Sequence, residues 1–353
     1  MLFSKQKIMS LVALLLANSL AWGQGMCEPE MVAGYNASSR IETECGWDMF
    51  VWGSFTYYQP IQENMSLGVV SDSSDPLDLV NGYEVDLSNK FKPGFKVGIG
   101  VNFPYDDWIT RVEYTWFRGT EKVQKSLDPN NAQIALFPAW EVPNFLNPSY
   151  NFGSESWNLR MDLIDWDLAR NFYVGKQLCF LYFIGLRYGL IRQNLDVDYI
   201  NENPANFFIF PSTFIEQSSH SWGIGPRMGL SSNWRLCKNF RLYGNAELDL
   251  LFTQYDLRSK QTSQVAVANQ YIVKRDDANY LRVHTELCLG LGWGSYFSNN
   301  RYHFDISADY SFQAFFDQNM FRTPVSAQAV GKSFLSNGNL YMNGLTVTAR
   351  FDF

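Results

Sequence analysis

Past Leu20 the chain holds no apolar run long enough to cross a bilayer as a helix, which excludes a helical membrane protein. It has no basic excess either. Its 28 Lys and Arg face 35 Asp and Glu for a formal net charge of −7, so it lacks the electrostatic footprint of a nucleic-acid binder. Histidine is scarce: His220, His284 and His303 stand at no metal-ligand spacing, and no nucleophile motif accompanies them. No cofactor is therefore expected. No linker-like stretch or shift in composition divides the chain. A length of 353 residues could make two soluble domains, but one is expected.

What the sequence does contain is alternation. From Tyr280 onward Leu281, Val283, Thr285, Leu287, Leu289, Leu291 and Trp293 interleave with Arg282, His284, Glu286, Cys288 and three glycines. After Ser298-Asn299-Asn300 the pattern resumes through Tyr302, Phe304, Ile306, Ala308, Tyr310 and Phe312, now against His303, Asp305, Ser307, Asp309 and Ser311. Period two means a strand with one oily and one wet face, whereas a helix would spread these charges round its axis. A half-buried soluble sheet also alternates. The length of the run, its aromatic ends and its recurrence down the chain instead point to an all-β transmembrane barrel, lipid outside and polar within. The aromatic share of 16% suits interfacial girdles.

The amino terminus carries Lys5 and Lys7, an apolar core from Ile8 to Leu20, and small residues at Ala21 and Gly23. This pattern predicts a signal peptide over 1–23, a periplasmic segment over 24–46 and a barrel over 47–353. Alternating strands recur at Trp47–Tyr58, Phe91–Phe103, Trp108–Trp116, Leu178–Leu190, Trp222–Trp234, Leu242–Phe252 and Leu340–Phe353. One further stretch, Glu155–Val174, shifts its apolar set after Ile164, which reads as a β-bulge placing Asp162, Asp165 and Asp167 inward. Short links near Pro104–Asp107, Gly175–Lys176, Leu236–Lys238 and Ser298–Asn300 alternate with long ones. The expectation is an antiparallel up-and-down barrel of about ten strands, with short periplasmic turns and long extracellular loops. Twelve strands is the alternative, should Met65–Ser71 or Val265–Val273 pair within the wall. Phe353 at the end of an alternating strand is similar to the terminal signal read by the outer-membrane assembly machinery.

Alternation assigns the lumen-lining residues: Lys92, Lys96, Arg111, Glu113, Arg187, Arg227, Arg241, Glu247, Asp249, Arg282, His284, Glu286, Asp305, Asp309 and Arg350. Both signs are well represented. One reading is a porin-like narrow channel for small hydrophilic solutes. The other is an ion-pair network that fills the lumen of a closed structural barrel, since side chains roughly fill a barrel of about eight strands. The single catalytic candidate is His284 with Glu286, for which lumen hydrogen bonding is the better account. The apolar loops Ile134–Trp140 and Phe207–Pro211 either bind a host or envelope partner, plug the mouth, or pack on each other. Five cysteines, an odd number in an oxidising compartment, suggest bridging. Cys27, Cys45, Cys179 and Cys237 gather at the periplasmic end, either as Cys179 to Cys237 within a barrel or as Cys27 and Cys45 to neighbours in a homo-oligomer. Cys288 sits in the wall, where a small apolar side chain fills space.

Several segments together carry a family resemblance: Pro93–Gly100, Asp106-Asp107-Trp108, Tyr114–Phe117, Asp165–Val174 and Gly185-Leu186-Arg187. The chain resembles the Legionella-type major outer membrane protein family, also found in relatives of the chlamydiae, over most of its mature length. The resemblance implies a surface-exposed barrel in outer-membrane lipid, with porin activity attributed to some members and disulfide cross-linking to others. Its motifs are structural, and no catalytic residue is carried over.

Overall fold

The computed structural model describes residues 41, 43, 47–72, 81–103, 106–131, 134–141, 149–174, 177–201, 212–237, 239–264, 269–324, 333–335 and 338–353. The expected signal peptide, Cys27, Cys45 and the Phe207–Pro211 loop lie outside the described residues. In chain order the strands are β1 (Met49–Gln62), β2 (Ser66–Ser71), β3 (Gly82–Asp86), β4 (Lys92–Asn102), β5 (Trp108–Ser126), β6 (Ala135–Pro138), β7 (Phe152–Val174), β8 (Leu178–Ile200), β9 (Ser212–Arg235), β10 (Phe240–Gln264), β11 (Asn269–Phe297), β12 (Tyr302–Phe315), β13 (Arg322–Pro324), β14 (Ser333–Leu335) and β15 (Leu340–Asp352). Ten close a barrel in the order β1-β15-β12-β11-β10-β9-β8-β7-β5-β4. Each neighbour is antiparallel and adjacent in the up-and-down sense, and the first strand β1 closes the ring on the last strand β15. β2 pairs in a small sheet of its own and Asn269–Val273 only lengthens β11, so the twelve-strand alternative is overturned.

The tight turns follow from residues that tolerate a left-handed backbone. Asp106 and Asp107 (φ 60° and 55°) join β4 to β5, and Ser298, Asn299 and Asn300 (φ 55°, 55° and 59°) join β11 to β12. These turns lie at the same end as the β1–β15 seam, where Met49 N–H donates to Phe353 O at 3.1 Å and Phe353 N–H returns the bond at 2.9 Å. The long connections all lie at the other end.

The wall is uneven in height. A transmembrane strand needs about 9–11 residues. β1, β4, β12 and β15 have 14, 11, 14 and 13, but β7, β8, β9, β10 and β11 have 23, 23, 24, 25 and 29. The exposed apolar belt ends on this tall flank at Ile164, Tyr188, Trp222, Phe252 and Leu281. Above it the outward residues turn polar, with Arg160, Arg192, His220, Asp256 and Arg258 exposed.

The bulge expected in β7 is absent. Its register runs unbroken from Trp108↔Arg170 to Ser126↔Phe152, and Asp162 points outward, where Arg118 donates two bonds to it at 2.8 and 2.7 Å. The apparent phase change has another cause: both faces of β7 are apolar, each at a different height. Ile164 and Trp166 face lipid lower down, while Trp157, Leu159, Met161 and Leu163 face inward and are buried.

They are buried by a plug. The sheet β3-β2-β6 and the connections around it fold into the mouth. Leu67, Val70, Leu136, Trp140 and Tyr150 pack on Trp157, Leu195, Val197, Tyr199 and Ile215 of the tall flank, and Phe321 joins from the β12–β15 connection. Complete burial of such side chains contributes about 1.5–3 kcal/mol each. Tyr199 donates its hydroxyl to the Leu67 carbonyl at 2.5 Å. Gly68 (φ +155°) is required where β2 meets β6, because a Cβ there would lie 2.2 Å from the Phe137 carbonyl oxygen. The described apolar loop Ile134–Trp140 therefore turns into the barrel.

Candidate functional site: the barrel lumen

Below the plug the bore is crossed by a layer of charge at mid-height. Arg187 on β8 is its hub. Its Nε and Nη2 donate to the two carboxylate oxygens of Asp165 at 2.6 and 2.7 Å, and its Nη1 reaches Asp249 at 2.6 Å and His284 Nδ1 at 2.7 Å. Arg227 on β9 bonds Asp165 through Nη1 at 2.6 Å, pairs with Glu247, and stands 3.4 Å from Asp167. Arg187, Arg227, Asp165, Asp249 and His284 are all nearly inaccessible, with side chains 0–4% exposed. Lys96 on β4 then reaches over the bore to Glu286 on β11, 3.2 Å away, although these strands lie on opposite sides of the ring. Tyr58 of β1 bonds Ser311 and Thr346 at 3.0 and 2.9 Å beside this layer.

Alternation alone did not show which charges would meet. His284 is bonded to Asp249, its direct cross-strand partner, and not to Glu286. Its ring lies 4.1 Å from that of Phe315 and borders a small cavity lined by Leu163, Gly189, Ser221 and Thr253. The two hydroxyls there donate to the backbone carbonyls of Ile191 and Leu251, so neither is paired with a base. Among the described residues no cluster of His, Cys, Asp and Glu has a metal-holding arrangement.

Towards the chain termini the lumen opens. Glu113, Arg111, Arg241 and Arg350 are 24–28% exposed, against 0–3% for Arg187, Asp165 and Asp249 in the layer above. Here rings and guanidiniums lie flat against facing glycines. A Cβ at Gly98 would sit 2.1 Å from the Trp52 ring, and one at Gly100 would sit 2.2 Å from that of Phe50. The glycine rows leave a vestibule by letting large side chains hug the wall. Each charge there has a partner. Trp52 Nε1 donates to Glu113 at 2.7 Å, Arg111 to Asp167 at 2.9 Å, Tyr243 to Asp309 at 2.8 Å and Arg241 to Asp305 at 2.7 Å. Arg350 bonds Asp352 at 2.5 Å and caps the Phe50 ring at 3.8 Å. Nearer the plug, Lys92 pairs with buried Glu121 at 3.4 Å, and Arg282 reaches the Tyr255 hydroxyl at 3.3 Å. Glu121, Tyr58 and Trp52 escaped the sequence-based assignment. Trp52 and Tyr58 lie in a run where apolar residues are consecutive.

At the same end Cys179 is buried, its Sγ 3.5 Å from Asn171 Oδ1, and Cys237 is exposed in the turn after β9. Both are thiols in this structure.

Among curated proteins the chain finds no match. Solved structures with a similar trace include the outer membrane protease OmpT of Escherichia coli, at 10% identity and TM-score 0.39 over 92% of this chain and 99% of that one. A major outer membrane protein of Thermus thermophilus matches at 10% identity and TM-score 0.32 over 86% and 99%. A Pseudomonas aeruginosa FadL homologue matches at 8% and 0.28 over 86% and 89%. The family model of the Legionella pneumophila major outer membrane protein precursor covers residues 42–353, the whole barrel. A ten-strand barrel with an apolar outer belt and a charged lumen, matched by that family over its full span, is an outer-membrane protein, and the chain belongs to the Legionella major outer membrane protein family.

Proposed function

We propose that this protein is a structural surface barrel of the outer membrane whose bore is shut at rest. The observation that carries the reading is the Lys96–Glu286 contact of 3.2 Å, which ties opposite walls together beneath an apolar plug. On this reading Asp249 and His284 are members of the lumen network and hold no catalytic role. The surrounding partners are outer-membrane lipid and, through the strand ending at Phe353, the barrel assembly machinery. Exposed Cys237 is the described thiol placed to bridge neighbouring barrels.

A second reading, a narrow gated channel for small hydrophilic solutes, is favoured by the glycine-lined vestibule. Planar-bilayer conductance separates the two. The closed barrel passes no steady current as the full chain. Steady, reproducible steps from the full chain would overturn it in favour of the channel. Deleting residues 64–88, which removes β2 and β3 of the plug, should leave the bore shut if the charged layer is itself a barrier.

A further inference from the structure

Four basic residues stand side by side on the outside of the tall flank. The ladders pair Arg118 on β5 with Arg160 on β7, Arg160 with Arg192 on β8, and Arg192 with His220 on β9. All four point outward, and Arg160, Arg192 and His220 are exposed. Like charges directly opposite one another destabilise a sheet. In a chain of net charge −7 such a row is not a by-product of a basic composition. Local pairing answers only part of it. Arg118 is held bidentately by Asp162. Arg160 bonds the neutral Asn158 at 3.2 Å, while His220 bonds Asn194 at 3.2 Å and faces Asp256 across the next ladder. Among the described residues no carboxylate lies within 4.0 Å of Arg160 or Arg192.

The height of the row identifies the missing anion. Beneath it lie Trp116, over whose ring Arg118 sits at 5.1 Å, Trp222 next below His220, and Tyr188 two outward positions below Arg192, the last two each 37% exposed. Aromatic residues of this kind mark the headgroup level of a barrel. His220 lies two residues before Trp222 on β9, on the mouth side, a rise of about 7 Å. The three arginines thus stand where lipid phosphates lie, on the side away from the chain termini, which this architecture turns outward. An apolar surface continues below them into the belt. A soluble anion would use the charges but not that surface.

We propose that Arg160 and Arg192, flanked by Arg118 and His220, bind the phosphate group of a phosphorylated lipid headgroup in the outer leaflet. The acyl chains would lie along Tyr188, Trp222 and the belt beneath. Arginine suits the task because its planar fork gives paired, charge-assisted donors to phosphate oxygens.

The test uses the full chain folded in an uncharged detergent. Three probes are titrated: an acylated, phosphorylated glucosamine disaccharide lipid, the same lipid after phosphatase treatment, and inorganic phosphate. Binding is read by native mass spectrometry. The phosphorylated lipid should bind, the dephosphorylated form about tenfold more weakly or worse, and inorganic phosphate at millimolar concentration should not displace it. The R160Q/R192Q variant should lose a similar factor, whereas R258Q, outside the row, should not. Folding of each variant is checked by its heat-dependent gel mobility, with the single R192Q variant used if the double variant fails. Equal binding of the two lipid forms, or unchanged binding in the arginine variant, would overturn the proposal. Full displacement by inorganic phosphate would assign the row to a free anion and overturn the lipid.

Discussion

Arg187 shows what a single side chain does in this lumen. It answers Asp165, Asp249 and His284 at once, with none of them reached by water. Removing one partner of a buried pair leaves an uncompensated charge, so R187A should lower stability by about 3–5 kcal/mol. R170A, whose partner Asp106 is as exposed as Arg170 itself, should cost no more than about 1 kcal/mol from its ion pair. Urea unfolding followed by tryptophan fluorescence in detergent reads both, and equal losses would contradict the layering. Glu141 makes a second, pH-dependent case in the connection before β7. Burial pushes its carboxyl up to about 7, against hydrogen bonds from Tyr150 at 2.8 Å and Thr213 at 3.2 Å that favour the charged form. A carboxyl whose folded pKa is raised binds more protons folded than unfolded. Its contribution is therefore fully present below the ordinary glutamate range and lost as pH rises through about 7. Proteolysis of the 127–151 connection should accelerate from pH 5 to pH 8, and E141Q should flatten that dependence. Which residues face inward was legible because strand side chains alternate. Which partners they would choose was not. The register sets Asp249 opposite His284, and wall curvature brings Lys96 to Glu286; neither is a local property of the sequence.

At the scale of the element, β11 and β7 are instructive opposites. In β11 one face is oily throughout the belt, so its strand character, facing and turn could be read directly from the sequence. Leu289 is 64% exposed to the outside, and Glu286 is 8% exposed within. L289R should cost about 2–4 kcal/mol, the range for arginine at the lipid midplane. In β7 the inner face turns apolar where the plug covers it, and alternation then misreports a bulge. The plug is built from segments far away in sequence, so nothing local announces it. M161D should loosen the plug and expose the 127–151 connection to protease, yet leave the heat-dependent gel mobility of the barrel intact. Loss of that mobility would mean the inner face of β7 holds up the wall itself.

Across the whole molecule, the strand number and the alternation of short and long links were legible because each barrel strand pairs with its sequence neighbours. Length beyond the belt was not, because outer strand extensions lack a lipid face and resemble loops. The orientation has a direct check. Asn130 is exposed in the connection after β5, so a small tag there should be labelled on intact cells. Labelling only after permeabilisation would invert the barrel.

The seam between β1 and β15 has a consequence in time as well as in space. β15 is clamped on one edge by β1 and on the other by β12, with Phe50 opposite Asp352 and Phe304 opposite Phe351. Until β15 arrives, the sheet has two bare edges, each a row of unanswered backbone donors and acceptors that hydrocarbon cannot solvate. A chain still being threaded across the envelope therefore cannot enter the bilayer strand by strand as a finished wall. Closure is a late event that joins the two ends of nearly the whole polypeptide, and until then both bare edges must stay out of hydrocarbon.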